Sequence, residues 1–116
     1  MYRRLLLALP LCLIAASRLR AAEFVDGTED IPLMPGLKPV KGSSLIFDKP
    51  EGRIVEAQAQ GNESRADVRH FYTDSLPQLG WKKTGADQWQ RDAEHLKLDF
   101  RGQDGRLTVG FTLSPH

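Results

Sequence analysis

The chain has 116 residues, 16 basic, 15 acidic and one cysteine. That length accommodates one small domain, and a charge near zero with no basic stripe argues against a nucleic-acid footprint. A lone cysteine, Cys12, excludes a disulfide framework and a cysteine-rich metal site.

The N-terminus reads as an export signal rather than as fold. Arg3 and Arg4 precede the apolar run 5–16, and a short polar stretch ends in Ala21 and Ala22. Twelve apolar residues are too few to span a bilayer comfortably. The expectation is a signal peptide over 1–22, with cleavage after Ser17, Ala21 or Ala22 left open and an uncleaved anchor as the alternative. Cys12 lies inside the apolar run after Leu11, so it is not a lipidation site. Losing 1–22 removes four arginines and no acid, leaving 12 basic and 15 acidic residues, net −3.

Residues 23–42 carry three prolines and three glycines, which argue against a regular helix or a central strand. Ile31, Leu33, Met34 and Leu37 are nevertheless apolar. They read either as a strap packed along its own domain or as a strip that docks on a partner. Large exposed apolar patches are uncommon on monomers, which favours the strap.

The domain proper is expected over 43–116. Residues 43–47 form a short strand candidate. Asp48-Lys49-Pro50-Glu51-Gly52 suits a turn with Pro at its second position and a left-handed Gly. The next strand, 53–60, puts Val55, Ala57 and Ala59 on one face, small enough for a helix to approach closely.

The stretch 64–81 predicts one amphipathic helix. Val68, Phe71, Tyr72, Ser75, Leu76 and Leu79 share an arc at 3.6-residue periodicity. Ser64 is the expected N-cap, with Asp67 three residues on. Gly80 suits the left-handed residue past the end, with Leu76 and Trp81 as the apolar pair of a Schellman cap. Pro77 removes one helical hydrogen bond, and the expectation is a bend.

Four strands are expected after the helix: 81–84, 88–91, 95–101 and 106–113. Asp104-Gly105 is a two-residue hairpin signal. It pairs Phe100 with Val109, Leu98 with Phe111 and Leu96 with Leu113 on one face. Lys97–Thr112, Asp99–Gly110 and Arg101–Thr108 fall on the other. A turn at Ala93-Glu94 would set Trp89 opposite Leu98. The sum is an α+β fold, one amphipathic helix on one face of a mainly antiparallel sheet, in the order β-β-α-β-β-β-β.

Site chemistry is sparse. His70, His95 and His116 are scattered and give no metal-ligand spacing. No nucleophile elbow or phosphate-cradling glycine loop occurs. Asp87, Asp92 and Glu94 fall near turns, where acids ordinarily solvate. No catalytic, cofactor-binding or metal-binding residue is predicted. The candidate partner-docking residues are Ile31, Leu33, Met34 and Leu37.

The segments PLMPGL (32–37), GRIVEA (52–57) and FYTDSLPQLGW (71–81) resemble a family of small exported bacterial proteins of unknown function. The helix ending in LPQLGW before a meander is also loosely similar in architecture to domains of outer-membrane barrel assembly lipoproteins. The first likeness implies an exported protein and carries over no site residue; the second is architectural only, and the periplasmic location is expected from the signal peptide. The expected function is a non-enzymatic envelope protein that binds or scaffolds another protein. The alternative is a binder of a lipid or other apolar small molecule between helix and sheet.

Overall fold

A computed structural model describes residues 23–116, so the expected signal peptide over 1–22 lies outside the described residues. The architecture is α+β: one helix and a strap cover one face of a seven-stranded, wholly antiparallel sheet. The strands are β1 (Lys38–Pro39), β2 (Leu45–Lys49), β3 (Gly52–Gly61), β4 (Lys82–Gly85), β5 (Gln88–Arg91), β6 (Glu94–Gln103) and β7 (Arg106–Pro115). Helix α1 (Arg65–Ser75) continues into a 3-10 turn, Leu76–Leu79. The sheet order is β1-β3-β7-β6-β5-β4, with β2 also on β3, end to end with β1.

The two-residue β1 is an addition to the expected order. Its Pro39 is tolerated because β1 sits at an edge, where a missing N–H breaks no central ladder.

Alternation places Val55, Ala57, Ala59, Trp89, Leu96, Leu98, Leu107, Val109 and Phe111 in the core. The β6–β7 hairpin turns at Asp104-Gly105 with the expected register: Leu96 faces Leu113, Leu98 faces Phe111 and Phe100 faces Val109. Trp89 keeps its expected face but pairs with Leu96 instead of Leu98. The reason is that the turn falls on Asp92-Ala93, one residue early, with Asp92 at φ +52°. Aspartate tolerates the left-handed region that a two-residue hairpin requires.

Helix α1 starts as expected. Ser64 Oγ accepts the Asp67 N–H at 3.0 Å, relieving an N–H that has no partner within the helix. Asp104 Oδ1 accepts the Arg65 N–H at 3.0 Å, so the β6–β7 turn supplies a second cap. The far end departs from a single bent helix. The α-helix stops at Ser75, and the chain tightens into 3-10 geometry around Pro77. Proline cannot supply the N–H that continues the α ladder, so tightening replaces bending. The Schellman cap then closes as expected. Gly80 is left-handed, its N–H reaches the Pro77 carbonyl, and the Trp81 N–H reaches the Leu76 carbonyl, each at 3.1 Å.

Val68, Tyr72 and Leu76 are the buried ridge of the helix, whereas Leu79 stays 40% exposed. The ridge lies in one buried apolar cluster with Ala57, Ala59, Val109 and Phe111 of the sheet. Phe71, Tyr72 and Phe111 stack edge to face, at centroid distances of 4.8 and 5.7 Å.

The 23–42 strap shares this core. Val25, Ile31, Leu33 and Leu37 are buried. Met34-Pro35-Gly36-Leu37 is a turn closed by the Leu37 N–H on the Met34 carbonyl at 3.0 Å. Proline at its second position and Gly36 at φ +101° are the requirements of a type II turn. This turn crosses Gly61 so closely that a Cβ there would meet the Gly36 carbonyl oxygen. Glycine at the end of β3 therefore lets the strap lie down.

Candidate functional site

The strap and the helix meet at Tyr72, which is 1% exposed. Its hydroxyl donates to the Pro32 carbonyl at 2.7 Å and accepts the Met34 N–H at 3.3 Å. Burial pushes the phenol pKa well above its ordinary value, and the Met34 N–H opposes that shift in part. Tyr72 thus stays protonated at neutral pH and remains the donor that fixes the strap.

This clamp decides what the four candidate docking residues present. Ile31, Leu33 and Leu37 are buried within the chain's own core. Met34 is half-buried and packs at its edge. Together with Asp67, His70, Phe71, Asp74, Ser75 and Gln78, Met34 lines an open hollow of about 390 Å³ between strap and helix. Phe71, also half-buried, supplies the second apolar group. Asp67 and Asp74 stand one helical turn to either side of His70 and Phe71, so the apolar groups have an acidic rim. His70 Nε2 lies 3.2 Å from Asp74 Oδ2, both well exposed. Ser75 Oγ is buried and finds no hydrogen-bond partner among the described residues. The periodicity that placed Phe71 on the inner arc did not reveal its role at the border, which depends on where the strap ends.

Ionic contacts outside the hollow's lining tie the helical segment to the sheet and to the strap. Arg69 forms a bidentate pair with Asp87, both contacts at 2.9 Å, and its guanidinium lies 4.8 Å from the Phe100 ring centroid. The Asp87 hydrogen bond holds the Arg69 pKa above its ordinary value despite some desolvation. Arg91 does more. It pairs with Asp30 of the strap at 2.7 Å, donates to the Leu79 carbonyl at 3.1 Å, and stacks 4.4 Å from the Trp81 ring centroid. Neither arginine stands out in the sequence, because their partners lie on other elements.

The histidines remain apart. His95 Nε2 sits 3.2 Å from Gln88 Oε1, on a neighbouring strand. Among the described residues, no three His, Cys, Asp or Glu side chains gather as a metal-binding group would. No helix among them is long and apolar enough to cross a membrane. No family model, curated protein or solved structure matches the chain.

Proposed function

We propose that this chain is a non-enzymatic periplasmic protein that binds another protein, and that the Met34–Phe71 hollow is where the partner docks. The carrying observation is the hollow itself: two apolar side chains on a clamped strap and helix, inside a rim of Asp67 and Asp74. Such a surface suits an apolar side chain followed or preceded by a lysine or arginine. The apolar contact supplies affinity, and the carboxylates select the flanking cation. The docking strip expected from the sequence thereby contracts to Met34, its one member outside the buried set. The alternative, a lipid between helix and sheet, is weakened by the buried cluster of Val68, Tyr72 and Leu76 with Ala57 and Ala59.

The test is affinity capture from envelope extracts with wild-type bait and with Asp67→Lys plus Asp74→Lys. Both aspartates face solvent, so the variant should fold normally. A stoichiometric protein captured by the first bait and lost with the second supports the reading. A bound lipid retained by both baits supports the alternative. Separately, changing His95 and His116, which lie outside the hollow, to Gln should preserve complementation of a deletion strain. Loss of function in a folded double variant would revive an enzymatic or metal-dependent reading.

A further inference from the structure

The two edges of the sheet are built differently. At one, β4 carries Lys82 and Lys83 and an irregular register between Lys83 and Gly85. Charged side chains and irregular pairing are the ordinary protections of an open edge. The other edge, β2, has neither in its first three residues. Leu45, Ile46 and Phe47 are 50, 48 and 46% exposed. Among the described residues β2 pairs with β3 alone.

The free backbone groups of β2 follow from its pairing. The Val40 N–H donates to the Gln58 carbonyl and the Gln58 N–H to Ser43 Oγ, so Gln58 turns its backbone toward this edge. By alternation Glu56 and Ile54 do the same. Their partners Leu45 and Phe47 are then bonded to β3, and Ile46 and Asp48 point their N–H and C=O groups outward.

We propose that two copies of this chain associate through β2, antiparallel about a two-fold axis, with Ile46 opposite Ile46. Three features select this register. Only even-numbered residues have free groups, which excludes shifts by one. Ile46 opposite Ile46 sets Leu45 of each copy against Phe47 of the other, so all three exposed apolar residues meet apolar partners. The ends are complementary too: the Lys41 end of one copy runs toward the Pro50-Glu51 turn of the other. Sliding by two residues one way sets Lys41 against Lys49 and leaves Phe47 facing Ser43. Sliding the other way sets Ile46 against Asp48 and Leu45 against Lys49. The interface is isologous and closes at two copies, because the lysine-bearing β4 edge does not offer a second contact. This proposal rests on β2 and is independent of the hollow beside Met34.

Sedimentation velocity over a concentration series tests it. The wild-type chain should show a monomer–dimer equilibrium. Leu45→Lys plus Phe47→Lys puts like charges across both flanking pairs and should weaken dimerisation at least tenfold. Leu45→Glu plus Phe47→Lys puts opposite charges across the same pairs and should restore it. Wild-type protein monomeric up to about 1 mM, or a dimer that survives the double lysine change, would overturn the proposal. Failure of the opposite-charge variant to dimerise would overturn the register. Hydrogen exchange on the unmodified chain is a second measurement. The Ile46 and Asp48 amides should gain protection with concentration, and concentration-independent exchange there counts against the interface.

Discussion

Tyr72→Phe isolates the clamp between strap and helix. The change keeps the buried ring and its edge-to-face contacts with Phe71 and Phe111. It removes the hydroxyl that donates to the Pro32 carbonyl and accepts the Met34 N–H. The first bond is short and the second, at 3.3 Å, contributes less. A net loss of about 1 kcal/mol per hydrogen bond, plus the penalty of stranding part-buried backbone groups, gives ~2 kcal/mol. With a urea slope near 1 kcal/mol per M for a small domain, the midpoint should fall by roughly 1–2 M. The pH dependence gives an independent signature. The folded state holds the phenol proton more tightly than the unfolded state does, because burial raises the pKa. The stability it contributes is therefore present below the unfolded value near 10. It declines as pH rises above that value, by up to about 1.4 kcal/mol per pH unit. Tyr72→Phe should lack this part of the alkaline decline. Tyr2 and Tyr72 are the only tyrosines, so protein freed of 1–22 permits spectrophotometric titration of Tyr72 alone. A variant within 0.5 kcal/mol of wild type (roughly the scatter of neutral surface changes), together with ordinary phenol titration, would refute the clamp.

Three further substitutions probe the frame. Trp81→Ala should cost about 3–5 kcal/mol in urea melts, because the indole is buried, whereas the exposed His70→Ala should stay within about 0.5. Arg91→Met removes the Asp30 pair, the bond to the Leu79 carbonyl and the stack on Trp81. It should cost ~1–3 kcal/mol and speed proteolysis within the 23–42 strap. Gly61→Ala forces a Cβ against the Gly36 carbonyl, so it should cost ~1–3 kcal/mol with altered amide shifts at residues 34–37.

Local signals made much of this fold legible. Asp104-Gly105 fixes the β6–β7 register because a two-residue turn leaves no slack, and alternation of Leu96, Leu98 and Phe100 agrees with it. Ser64, Gly80 and Trp81 marked the helix ends because capping involves neighbours only a few residues apart. The β5–β6 turn, expected at Ala93-Glu94, falls at Asp92-Ala93; either turn keeps Trp89 on the apolar face, so alternation does not decide between them. What selects between them is the ability of Asp92 to adopt a left-handed backbone. The site was less legible. Nothing local distinguishes Met34 from Ile31, Leu33 and Leu37, all apolar and in one strip. The distinction arises from the type II turn at Pro35-Gly36 and from Tyr72, 38 residues away from Met34. Exposure of Leu45, Ile46 and Phe47 likewise follows from β2 having a single neighbour, a property of sheet order.

Site-specific photo-crosslinking from position 34 in intact cells of the native host tests the central claim most directly. A photoreactive side chain in place of Met34 reports whatever occupies the hollow. The account predicts one discrete protein adduct, greatly diminished when Asp67→Lys and Asp74→Lys are added to the same chain. Labelling confined to lipid, or protein adducts indifferent to those two charges, would contradict it.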